Sequence, residues 1–238
     1  MSESHIPPSR RRSTRVPLAD RAYDALLLQV IGGERPPGDW LNIGALSREM
    51  GLSATPVREA LARLEPTGLV RRNPLRGYEV APLLSPSEIG QLMDARLLFE
   101  PTFAADAAAN ADPGFLQQLT ETIATMESAG DITDPEALKQ SWIADELFHT
   151  LISIQAGNPF SRRAYEGLGS QLQRFRLSGQ AGRTHALEAA REHREIRDAI
   201  ARADADAAKE LMRAHVEEAR HRTLTDERAA SGADDRVS

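Results

Sequence analysis

Apolar residues recur at helical spacing through the first third of the chain. Leu18, Ala22, Ala25, Leu26 and Val30 mark one face of a helix from Leu18 to Ile31. Gly32-Gly33 ends it, and Pro36-Pro37-Gly38 holds the chain in a loop. Ile43, Leu46 and Met50 define a second helix that stops at Gly51. Ser53 reads as the N-cap of a third, with Pro56 in its first turn and Val57, Ala60, Leu61 and Leu64 as the apolar stripe, before Gly68 closes it. Leu69 to Arg72 and Tyr78 to Val80 are short extended runs, and Asn73-Pro74-Leu75-Arg76-Gly77 between them reads as a hairpin. Three short helices and a β-hairpin wing predict a winged helix-turn-helix over residues 17–82.

Beyond a hinge at Pro82 to Pro86 the pattern lengthens. Helices are predicted near 86–109, 113–128, 135–156, 159–178, 184–202 and 205–225, and Asp112-Pro113, Asp134-Pro135 and Asn158-Pro159 separate the first four. The fold class is therefore mainly α: the winged helix, then an all-α bundle over 86–225. Residues 1–16, with arginines at 10, 11, 12 and 15 and little to bury, read as a disordered basic arm, either a solvated tail or a minor-groove contact. Residues 229–238 read as a disordered tail.

Composition narrows the function classes. Apolar residues are 41% of 238, enough for a real core, while aromatics are 5%, which suits helices packed through Ala and Leu. The absence of cysteine excludes disulfides and thiolate metal sites and fits a cytoplasmic protein. No apolar run reaches membrane-spanning length, and Met1 to Arg12 is too polar for a secretory signal. The net charge of −6 is unevenly spread: residues 1–80 carry 12 Lys and Arg against 9 Asp and Glu, so the excess acid lies in the remainder. A basic front and an acidic body suit a chain whose first domain meets nucleic acid.

In a helix-turn-helix the second helix of the pair enters the major groove. Ser53 and Thr55 place hydroxyls at its tip, Arg58 one turn in can reach a guanine edge or a phosphate, and Arg76 with Gly77 forms the wing tip. The ordered run Pro37-Gly38, Leu41, Leu46, Leu52-Ser53-Ala54-Thr55-Pro56-Val57-Arg58-Glu59-Ala60-Leu61, Leu64, Gly68-Leu69-Val70 and Arg76-Gly77 resembles the GntR family of bacterial transcriptional regulators. The resemblance implies a homodimer on palindromic double-stranded operator DNA. Relatives carry a contacting arginine where this chain has Ala54, and some carry one at Gly44, so Arg58 is expected to bear more of the recognition.

In the second domain Asp145 and His149 lie one turn apart on a helix, and His193 and His215 sit among apolar neighbours on two later helices. On spacing alone the histidines are either satisfied core residues or, with the aspartate, ligands for a divalent metal. Residues 86–225 also resemble the FadR-type ligand-binding (FCD) domain, through Arg96 with Glu100, Asp145 through His149, Ala156-Gly157-Asn158-Pro159, Glu192-His193 with Ile196 and Ile200, and His215. That resemblance implies Asp145, His149, His193 and His215 as metal ligands, with zinc favoured over nickel or manganese. It also implies a small carboxylate effector met by Arg96, whose alternative is an ion pair with Glu100. Asn158 is expected to cap the helix after it, and His5, His185 and His221 to face solvent. A metal-dependent hydrolase would need a general base that no motif supplies, and a regulator without an effector is the other alternative. The leading reading is a ligand-responsive regulator, most simply a repressor, and not an enzyme.

Overall fold

The computed structural model describes residues 17–74, 76–128, 134–177 and 185–234. The basic arm, and His5 within it, lie outside those residues. The first domain contains α1 (Leu18–Gly32), β1 (Trp40–Leu41), α2 (Ile43–Met50), α3 (Ala54–Leu64), a 3-10 turn (Glu65–Thr67), β2 (Val70–Asn73) and β3 (Gly77–Val80). Its strands form an antiparallel sheet in the order β1-β3-β2, with Val70 opposite Val80 and Asn73 opposite Gly77. Strand β1 was not anticipated, because two residues carry no readable alternation. It is tied in by Trp40 pairing with Glu79 and by the flanking Gly38 and Asp39, which bond the backbone of Val80. Leu26, Leu46, Val57, Leu61, Leu64 and Val80 are fully buried together, so the helical stripes and the wing share one core. Ser53 occupies the N-cap of α3 as predicted, but its side chain makes no capping bond.

The second domain comprises α4 (Pro86–Ala109), α5 (Pro113–Ser128), α6 (Pro135–Gln155), α7 (Pro159–Glu166), α8 (Gly169–Leu177), α9 (Ala186–Ala201) and α10 (Ala205–Asp234). Proline in the first turn of α4, α6 and α7 follows a capping Ser85, Asp134 and Asn158, whose side chains accept from backbone N–H groups one turn in. Asn158 thus caps as expected. Helix α4 packs along α10, α5 lies between α6 and α9, and α6 also crosses α4. Two predicted boundaries are corrected. The helix expected over 159–178 is two helices, because Gly167 and Gly169 flank Leu168, whose N–H turns back to Tyr165. The last helix does not stop near 225: its backbone continues to Asp234 through the Ala229-Ala230 segment that had read as a tail.

The two domains share packing. Leu138 and Trp142 of α6 and Ala186 of α9 join the winged-helix core, and Leu177 at the end of α8 packs against it. Lys139 reaches Asp24 of α1 at 3.3 Å, and Arg174 of α8 donates to the Pro82 carbonyl at 3.2 Å. Gly68, at φ +77°, sits against the backbone of Ser170. A side chain there would be strained by its own dihedral and would run into the Ser170 carbonyl. Gly68→Ala is therefore expected to destabilise the protein by roughly 1–3 kcal/mol, seen as a lower urea midpoint, whereas Gly38→Ala, with open space for its Cβ, should lose less.

Candidate DNA-binding face and metal centre

Ser53, Thr55 and Arg58 are all exposed on the first two turns of α3, whose opposite face (Pro56, Val57, Ala60, Leu61) is buried. The amphipathic stripe thus forces the three polar side chains outward. The wing carries Arg76, exposed at its tip, and Gly77 at φ +96°, a conformation that lets the strand turn where another residue would be strained. Two features of this face were missed in the sequence. Trp40 is a partly exposed platform, with the Arg76 guanidinium 5.5 Å from its ring centre, and Arg72 is exposed on β2. A two-residue strand gave no hint that Trp40 would lie beside the wing.

In the bundle, His149 of α6, His193 of α9 and His215 of α10 are buried side by side, and one ring nitrogen from each lies within 4.8 Å of those of the other two. The Nε2 atoms of His193 and His215 are 3.3 Å apart. Asp145 Oδ1 lies 3.8 Å from His149 Nε2 and 3.7 Å from His193 Nε2. Ligands at the usual distance from zinc, about 2.0–2.1 Å, stand about 3.4 Å apart in a tetrahedron. The His193–His215 pair matches that separation, the two Asp145 distances are somewhat longer, and the three histidines form the cluster that the geometry groups.

The outer nitrogens explain how the rings are turned. His215 Nδ1 lies 2.7 Å from Glu192 Oε2, and Arg222 holds that carboxylate with two further bonds. His149 Nδ1 lies 3.1 Å from Glu100 Oε2, and Glu100 also accepts from Arg96 and from the Tyr165 hydroxyl. These carboxylates favour the tautomer that carries its proton on Nδ1 and leaves the Nε2 lone pair facing inward. His193 lies flat on Phe148, with ring centres 3.9 Å apart. Burial, with the neighbouring imidazoles, holds His193 well below the ordinary histidine pKa, and burial lowers His215 despite Glu192. Burial would raise Asp145, but Arg176 and the histidines outweigh it and keep the carboxylate ionised. His193 and His215 with lowered pKa values, an ionised Asp145 and the neighbouring His149 ring are the kind of donor set a divalent cation needs.

A cavity of about 230 Å³ opens beside the cluster, lined by Arg96, Trp142, Asp145, His149, Phe175 and Arg176 among others. Arg96 is buried in its wall and is bidentately paired with Glu100, the ion pair foreseen as its alternative role. His185 departs from expectation: it is partly buried and lines the same cavity, near Asp226. His221 is exposed, as expected.

Residues 18–80 match the bacterial regulatory proteins of the gntR family, and residues 91–218 match the FCD domain. The chain belongs to the gntR family and carries an FCD domain. This GntR regulator is 25% identical to the HTH-type transcriptional regulator YdhC of Bacillus subtilis (strain 168), over 81% of this chain and 85% of that one. It is equally identical to the HTH-type transcriptional repressor GlaR of Escherichia coli (strain K12), over 82% and 90%. A GntR regulator from Rhodococcus sp. RHA1 shares the fold, with a TM-score of 0.65 over 87% of this chain and 97% of that one at 22% identity. The relatives are transcriptional regulators, which sets the hydrolase alternative aside. No described helix is long and apolar enough to cross a membrane.

What sequence reading missed in the FCD domain is the set of partners around the cluster. Glu192, Arg222, Arg176 and Tyr165 come from four helices, and no local spacing links them. Glu192→Gln is expected to weaken metal binding by about 10–100-fold with the helical content unchanged, and His193→Ala to leave less than stoichiometric metal in protein purified without chelator. Elemental analysis and competition with a chromophoric chelator would measure both.

Proposed function

We propose that this GntR regulator is a repressor that binds a palindromic operator as a homodimer and releases it when a small carboxylate occupies the FCD cavity. Arg58 is the observation that carries the DNA half of this reading. It stands exposed on the helix that enters the groove, with no ion pair to another described residue, while Arg63 on the same helix is held by Asp20. Ser53, Thr55, Arg76 and Gly77 complete the contact surface, with hydroxyls and backbone at phosphates and Arg58 at a base edge. A two-fold protein doubles these contacts on two half-sites.

In the FCD domain Asp145, His149, His193 and His215 would hold one divalent ion, zinc by the nitrogen-rich donor set. When bound, the metal supplies positive charge and open coordination sites for an anionic ligand. Arg96 borders the cavity beside His149, its Nη2 3.4 Å from His149 Nε2. The apolar wall of Trp142, Leu172 and Phe175 limits the effector to a small molecule.

The test of the DNA half is Arg58→Ala, measured by fluorescence anisotropy on a duplex selected from a random pool with the native protein. Binding should fall at least about tenfold, as expected for loss of a guanidinium contact of roughly 1–3 kcal/mol, with the circular dichroism spectrum unchanged. Undiminished binding would exclude Arg58 and the α3 face.

A further inference from the structure

Three guanidinium groups in different states line the cavity, and one of them, Arg222, spends both Nη atoms on Glu192. Every nitrogen of Arg96 is engaged by the protein: Nε and Nη2 donate to Glu100, and Nη1 faces Met93 Sδ. Arg176 of α8 spends Nη2 on Asp145 Oδ2 at 2.6 Å, but its Nη1 is buried with no hydrogen-bond partner among the described residues. Trp142 Nε1, on another cavity-lining residue, is likewise a buried donor with no acceptor among the described residues. Buried donors are rarely left unmatched, since each costs free energy comparable to a lost hydrogen bond. Two further lining atoms without a hydrogen bond, His149 Nδ1 and His185 Nδ1, each lie near a carboxylate, Glu100 at 3.1 Å and Glu188 at 3.5 Å. Arg176 Nη1 and Trp142 Nε1 can only donate, so a ligand that satisfies them brings acceptors. A carboxylate on a guanidinium forms a strong charge-assisted bond.

Helix α8 also touches the DNA-binding domain along its length. Ser170 near its start lies against Gly68, Arg174 donates to Pro82 of the hinge, and Leu177 at its end packs on the winged-helix core. Leu172 and Phe175, between these contacts, line the cavity. One short helix therefore carries the free donor and the contacts to the other domain.

We propose that Arg176, rather than Arg96, grips the carboxylate of the effector, with Trp142 Nε1 as a second donor, and that α8 transmits occupancy to the Glu65–Val70 segment of the DNA-binding domain. This rests on the carboxylate reading of the cavity given above. Arg96 then acts through Glu100 to orient His149 and does not hold the ligand.

The test uses the full-length, metal-loaded protein and the Trp142 indole N–H signal in a proton–nitrogen correlation spectrum. The chain has two tryptophans, and Trp40→Phe assigns the pair. Titration with acetate, lactate and citrate is expected to move the Trp142 signal saturably for at least one of them. Arg176→Gln, compared with the native protein at matched metal occupancy set by elemental analysis, should weaken that titration by roughly ten- to a hundredfold. Arg176→Lys keeps a charge against Asp145, and so guards against misfolding, but lacks the second fork nitrogen and should also bind more weakly. Wild-type affinity in both variants would overturn the role of Arg176 and leave the carboxylate cavity standing. No response in the native protein to any of the three would overturn the cavity reading itself. Hydrogen exchange of residues 65–70 should change on saturation in the native protein and not in Arg176→Gln; no change in the native protein would remove α8 as the link.

Discussion

Charge cannot be buried alone, and the second domain is arranged around that constraint. An unpaired carboxylate or guanidinium in a protein interior costs several kcal/mol even after relaxation, so each must find its opposite there. Three such pairs ring the histidine cluster: Arg96 with Glu100, Arg176 with Asp145, and Arg222 with Glu192. The first lies within α4, the second ties α8 to α6, and the third ties α10 to α9. Each helix that carries a histidine of the cluster is therefore pinned at the site by one of these pairs or, for His149, also by Glu100 of α4. In each case the carboxylate does a second job. Glu100 and Glu192 turn His149 and His215, and Asp145 presents its other oxygen to the cluster. Removing one guanidinium would disturb both a charge balance and a ligand's orientation.

The fold was legible where the chain obeys one period at a time. The stripe Val57, Ala60, Leu61, Leu64 and the caps at Ser85, Asp134 and Asn158 are local signals, and the helices stand where those signals put them. Signals failed where local propensity was overridden or too short. Two glycines around Leu168 broke one predicted helix, and the Ala229-Ala230 segment prolonged another. The cluster itself was half legible. Asp145 and His149 share a helix and a spacing, and His193 and His215 sit on apolar faces, but their convergence depends on how α6, α9 and α10 cross. The partners Glu192, Arg222, Arg176 and Tyr165 meet only through that crossing, and no one-dimensional pattern encodes it.

The two domains are less separate than the hinge at Pro82 to Pro86 suggests. Trp142 faces the cavity on one side and belongs to the winged-helix core on the other. Its indole cannot shift without disturbing Leu138 and the α1 face, because close-packed interiors transmit displacement and do not absorb it. With α8 docked on the 3-10 turn after α3, the cavity thus has two packed connections to the DNA-binding domain, one through α6 and one through α8. Coupling needs each connection to have two arrangements that the ligand distinguishes. Helix α8 is the better placed of the two, since it is nine residues long, ends in the cavity-facing Arg176, and is separated from α7 by the glycine-flanked turn at Leu168.

The charge balance also sets an order of events. The three arginine–carboxylate pairs around the cluster cancel one another's charge, so a carboxylate entering the cavity would find each guanidinium there already compensated. A divalent ion among Asp145, His149, His193 and His215 would add two positive charges to a buried region, and an anion would then be needed to offset them. Metal and effector should accordingly bind with positive linkage: each raises the affinity for the other by the same factor, as reciprocity requires. On this account the metal does more than hold the bundle together. On the proposed reading it would supply the charge that makes a small anion a better occupant than water, while Arg176 and the apolar wall would decide which anion fits.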